Sequence, residues 1–146
     1  MIFADRTEGG RRLAAATRWL HAEPGTEGLA IGYFGVSTGA ATALLAAAEP
    51  DADVAAVVSR GGRPDLAGPR LPEVTAPTLL IVGGHDDLVL DLNQQAQALL
   101  RCESRLEVVP GAPRLFEEPG APEAVAVLAR WFTDHLAPAP QPASGR

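Results

Sequence analysis

The sequence predicts an α/β fold: about four parallel strands with helices on both faces. Three observations point there. Short apolar stretches alternate with helical ones along most of the 146 residues, which implies βαβ units joined by right-handed crossovers. The stretch Thr78-Leu-Leu-Ile-Val82 is apolar on both faces, as a buried parallel strand should be. Finally, Leu29 to Ala48 runs from β-suited Leu29, Ile31, Tyr33 and Phe34 through Gly35-Val36-Ser37-Thr38-Gly39 into an alanine- and leucine-rich run. That run contains no helix breaker.

The elements follow in order. Residues 9–22 carry Leu13, Ala16, Thr17 and Leu20 at helical spacing, with Thr7 as N-cap and Pro24-Gly25 as the stop. The first strand and its alanine-rich helix end at Glu49-Pro50. A second strand, Val54–Val58, runs into Ser59-Arg-Gly-Gly-Arg-Pro-Asp65, and the proline-rich residues 64–77 read as connection. The third strand, Thr78–Val82, leads through Gly83-Gly84-His85-Asp86-Asp87 to a helix over residues 91–101. A fourth strand, Arg105–Val109, precedes Pro110–Phe116, and a last helix covers Ala121–Leu136 with Val125, Leu128, Phe132 and Leu136 on one stripe. Trp19, Trp131 and Phe132 are expected in the core, and Cys102 as a small buried filler. The domain is expected to span residues 1–136, and the Pro/Ala-rich tail 137–146 to be disordered.

Composition narrows the function. The net charge is −6 and every basic side chain is arginine, so nothing favours nucleic acid or an anionic membrane as partner. One cysteine cannot form an internal disulfide, and MIFADRTEGGRR has no apolar h-region; the expectation is a cytoplasmic protein. Apolar runs fall far below the roughly 20 residues that span a bilayer. No metal-ligand spacing or phosphate-cradling loop is present, so neither a metal nor a cofactor is expected.

The pattern Gly35-x-Ser37-x-Gly39 lies between a strand and a helix, the context of a nucleophile elbow. There serine occupies a strained turn, and both glycines are expected to be required by close backbone approach. Loops that follow parallel strands gather at one edge of the sheet. That places Ser37, Arg60, Asp86 and Arg114 on one rim.

Ser37 in its turn, and Asp86 within G-x-x-D-x-x-V (Gly83 to Val89), resemble the last two-thirds of an α/β-hydrolase. The segments SRGGRPDLAGP, APTLLIVGG and RLEVVPGA…LFEEPGA resemble the dienelactone-hydrolase-like branch, including members fused to phosphoribosyltransferases. The similarity spans roughly residues 9–136 and implies a truncated α/β-hydrolase fold that lacks the strands normally preceding the elbow. It implies Ser37 as nucleophile, Asp86 as the acid that orients a histidine, and the Thr38 amide as one oxyanion donor. Asp87 is the runner-up acid; a helix N-cap or Asx-turn role is the alternative for Asp86.

The base departs from the pattern. Where the family places histidine after the fourth strand, this chain has Gly111-Ala112-Pro113-Arg114-Leu115-Phe116. Arginine stays protonated at any workable pH and cannot accept the serine proton. His21 falls at the opposite sheet edge, and His135 is about 20 Å along the last helix. His85 is the remaining substitute base, two sheet positions or about 10 Å from the serine's strand. Arg60, Arg63 and Arg114 could bind an anionic substrate group; the plainer reading pairs Arg60 and Arg63 with Asp65 and its neighbours.

Two functional classes result. One is a serine hydrolase of esterase or lactonase type, catalytically impaired by Arg114 and by the missing N-terminal part. The other is a non-catalytic relative, or a fragment of a longer product, that binds a small anion or a partner chain. The strand Leu29–Phe34 is expected to be an exposed sheet edge through which the chain self-associates.

Overall fold

The computed structural model of the protein describes residues 6–84, 87–109 and 121–136. Within them lie α1 (Arg6–Ala22), β1 (Gly32–Val36), α2 (Gly39–Ala47), β2 (Ala56–Arg60), β3 (Thr78–Gly83), α3 (Asp87–Leu99), β4 (Ser104–Val109) and α4 (Ala121–Leu136). Residues Pro64–Glu73, between β2 and β3, form two short 3-10 turns broken at Gly68.

The four strands form one sheet in the order β1-β2-β3-β4, every pair parallel. Sequential order with a constant crossover hand puts every connecting helix on the same face. One apolar cluster accordingly joins Ala14 of α1, Leu44 and Ala47 of α2, Leu71 of the 3-10 segment and Ala96 of α3 over Val57 of the sheet. The opposite cluster holds Ala56, Val58, Leu79, Ile81 and Val109 under Trp131 of α4, with Leu128 and Phe132 beside it. Alanine suits α2 because small side chains let the helix lie close between the sheet and α1. The central strand β3 is buried at every position, which is why its sequence shows no alternation.

Element ends move where local bonding decides them. β1 begins at Gly32, so Leu29 and Ile31 precede the strand; the Leu29 amide closes a turn on the Thr26 carbonyl at 3.0 Å. The Ile31 carbonyl still accepts the Ala55 amide at 2.8 Å. β2 runs two residues later than its apolar core suggests, because Ser59 and Arg60 pair in register with Gly35 and Val36. α3 starts at Asp87, four residues ahead of the expected start; a carboxylate in the first turn suits the helix dipole. α1 starts at Arg6, which places Thr7 inside the helix instead of at its N-cap. Trp19 is a correction: it is 60% exposed, because α1 packs through Leu13, Ala14 and Thr17 and turns Trp19 outward. Trp131 is in the core as expected. The expected tail, 137–146, lies outside the described residues.

Candidate active site

β1 delivers the chain to its C-terminal rim, and the next residue, Ser37, has φ 56°. Among the described residues it is the only non-glycine with positive φ, a conformation that a side chain makes costly. Gly35 makes the turn possible: a Cβ there would lie 2.5 Å from the Gly39 carbonyl oxygen and 2.6 Å from the Ala40 Cα. Gly39 does not share that constraint among the described residues, where a Cβ meets nothing within 4 Å. Among the described residues the expectation that both glycines are enforced holds for Gly35 and is corrected for Gly39, at the first turn of α2.

Thr38 is the N-cap of α2 with helical φ/ψ and no side-chain capping bond. Its amide therefore belongs to the first turn of α2, where donors lack intrahelical partners and partial positive charge accumulates. The Ser37 carbonyl accepts two amides, from Ala40 at 3.2 Å and from Arg63 at 3.0 Å. The turn after β2 thus clasps the elbow from the side. Gly61 (φ 54°) reverses that turn, and its amide donates to the Ile81 carbonyl at 2.8 Å.

The two described arginines of the rim part company. Arg63 closes its guanidinium on Asp65, Nε to Oδ1 at 3.0 Å and one terminal nitrogen to Oδ2 at 2.9 Å. That hydrogen bonding raises its pKa further. What Arg63 gives the elbow is its backbone amide. Arg60, paired in register with Val36, points to the α4 face, its guanidinium carbon 5.9 Å from the Phe34 ring centroid.

Asp86 and His85 fall between β3 and α3, and Arg114 between β4 and α4; all three lie outside the described residues. The other two histidines are remote. His21 Nε2 lies 2.9 Å from the Asp53 carbonyl oxygen. His135 Nδ1 sits 2.9 Å from the Trp131 carbonyl oxygen, with Nε2 3.2 Å from Glu103. Two open grooves are also off the rim: one of about 370 Å³ against Arg105, Trp131 and His135, and one of about 480 Å³ against Arg11, Arg18 and Arg70. Among the described residues no cluster of His, Cys, Asp and Glu could hold a metal. No described helix is long and apolar enough to cross a membrane.

One polar residue near the rim is not evident from motif reading. Asn93 of α3 is fully buried, and its Nδ2 donates to the Gly62 carbonyl at 3.1 Å and the Val89 carbonyl at 2.8 Å. The sequence signal is a carboxamide on the helix face that also carries Val89 and Ala96.

Comparison with known proteins agrees with this fold. The family model of the dienelactone hydrolase family matches residues 2–127. Two Mycobacterium tuberculosis proteins that carry a phosphoribosyl transferase name, from strains CDC 1551 and H37Rv, are each 62% identical over 126 residues. The match takes in 86% of this chain but only 28% of the length of those relatives. The dienelactone hydrolase of Anabaena variabilis superposes with a TM-score of 0.83 at 55% identity, over 88% of this chain and 60% of that one. A dienelactone hydrolase-like promiscuous phosphotriesterase from metagenomic libraries shares the fold at 20% identity and TM-score 0.69, over 91% of this chain and 64% of its own. The chain belongs to the dienelactone hydrolase family, and its four parallel strands form part of an α/β-hydrolase fold.

Proposed function

We propose that Ser37 is the nucleophile of an esterase- or lactonase-type serine hydrolase. The observation that carries this reading is the positive φ of Ser37 between β1 and α2. Strain of about 1–3 kcal/mol at a non-glycine residue persists only where surrounding structure enforces it. In this reading Ser37 Oγ attacks an acyl carbonyl and the Thr38 amide donates to the oxygen that becomes negative. Collapse of that adduct breaks the acyl C–O bond and expels the alcohol, which carries the serine proton; water then cleaves the acyl-serine to give the carboxylic acid and restore the Ser37 hydroxyl. Asp86 is the supporting acid, and Arg60 and Arg114 remain the candidates to meet an anionic substrate group; the Arg63 guanidinium is closed on Asp65. With arginine at position 114 the histidine of the family pattern is replaced, His85 is the substitute base, and turnover is expected some 10⁴- to 10⁶-fold below a complete triad.

Hydrolysis of p-nitrophenyl acetate tests this. Slow turnover by the unaltered chain, lost in Ser37→Ala and raised in Arg114→His, is the expected result. No turnover in any of the three favours the second reading, a non-catalytic protein that binds a partner chain or small anion. A specific observation supports that alternative: among the described strands β1 is paired on one side only, and Phe34 on it is 46% exposed.

A further inference from the structure

We infer that Asn93 is a positioning residue for the elbow, acting through Gly62 and Arg63 on the Ser37–Thr38 peptide. Asn93 has no contact with solvent, and its Oδ1 finds no partner among the described residues. A leucine would fill such a site without leaving a buried carbonyl oxygen unpaired, which is costly. Both Nδ2 hydrogens, by contrast, are in use. One holds the side chain to its own helix at the Val89 carbonyl, and the other reaches the Gly62 carbonyl in the turn after β2.

Gly62 has little freedom to leave that position. A Cβ there would collide with the Ser59 hydroxyl and lie 2.6 Å from the Ala40 Cβ. The residue is wedged between β2 and α2, with Asn93 holding its carbonyl. The next amide, that of Arg63, donates to the Ser37 carbonyl at 3.0 Å. A trans peptide is planar, so its C=O and N–H point in opposite directions. No described peptide bond is cis. Fixing the Ser37 carbonyl therefore fixes where the Thr38 N–H points, and that N–H is the oxyanion donor of the proposed reaction. Asn93 also stands on α3, the helix that opens directly after Asp86. One carboxamide thus ties the element following the acid to the peptide plane following the nucleophile. The catalytic part of this inference rests on Ser37 being the nucleophile; the positional part does not.

The test compares the full chain with Asn93→Leu, or with Asn93→Ala if the leucine variant does not fold. Amide hydrogen exchange is read at Arg63, with Leu80 and Val58 as core references. Phosphonylation of Ser37 by an alkyl fluorophosphonate is timed in the same proteins. Exchange at Arg63 should accelerate at least about tenfold while the references hold, and phosphonylation should slow by about 10- to 100-fold. An Arg63 amide as protected as before, or one that loosens only in step with Leu80 and Val58, overturns the inference. The unaltered protein supplies a second arm. Asn93 side-chain protons that exchange freely while the Arg63 amide stays protected also overturn it. If Ser37 of the unaltered chain takes no probe, the nucleophile reading fails, and the exchange arms still decide the positioning.

Discussion

Gly35 and Gly39 flank the same serine and face opposite surroundings, which makes them a matched pair for testing the elbow. Gly35→Ala pushes a methyl group into backbone atoms that cannot move independently, and a loss of about 1–3 kcal/mol is expected in urea unfolding. Gly39→Ala meets no described neighbour and has a helical position, so stability should be unchanged or rise by up to about 1 kcal/mol. Tyr33 offers a pH readout at the same scale. Thr17 Oγ1 donates to the Leu13 carbonyl at 2.8 Å, so in the 2.6 Å contact between the two hydroxyls Tyr33 is the donor. Burial raises the Tyr33 pKa above its usual 10.0. A phenol whose folded pKa lies above its unfolded value adds stability in full below the unfolded value and loses it as pH rises toward the folded one. Stability should therefore decline above about pH 10, and Tyr33→Phe should cost about 1 kcal/mol near neutrality while flattening that decline. Melts of both proteins at pH 8 and pH 11 check this.

At the scale of the element, β3 and α3 show how similar residues carry different weight. Leu80 of β3 is fully buried, whereas Leu88 in the first turn of α3 is 69% exposed. Leu80→Ala is expected to cost about 2–5 kcal/mol, and Leu88→Ala less than about 0.5 kcal/mol; paired denaturation curves measure both. The same contrast explains the helix faces. α3 buries Val89, Asn93 and Ala96, and the polar member of that stripe reaches the turn that clasps Ser37. α2, with alanine at most positions, gives the sheet and α1 a close approach, and its N-terminal turn supplies the amides beside the serine.

For the whole molecule, the feature with the largest consequence is the edge of β1, which among the described strands pairs with β2 alone. Phe132 lies over Gly32, where a Cβ would come within 2.6 Å of its ring. Nearer the rim, Phe34 stays exposed beneath the Arg60 guanidinium. An unpaired strand edge beside an apolar patch favours addition of another strand. Sedimentation velocity over a concentration series should show self-association, and Phe34→Lys should shift the population to monomer. A monodisperse monomer whose 32–36 amides resist exchange would refute this.

The fold class, the parallel strands and the span of α4 were legible in the sequence, because a buried strand between helices leaves a local pattern of apolar residues. The serine turn was legible for the same reason: Gly35 is required by atoms only four and five residues away. The acid at position 86 and the arginine at 114 remain sequence readings, outside the described residues. That the Arg63 guanidinium closes on Asp65, which tryptophan is buried and where Asn93 finds its hydrogen-bond partners were decided only in three dimensions. Arg63 finds Asp65 two residues on, yet its amide serves Ser37 across the rim. Asn93 meets Gly62 from 31 residues away. Short-range sterics and periodicity are written along the chain, whereas the partners of a buried polar group depend on how whole elements are laid against one another.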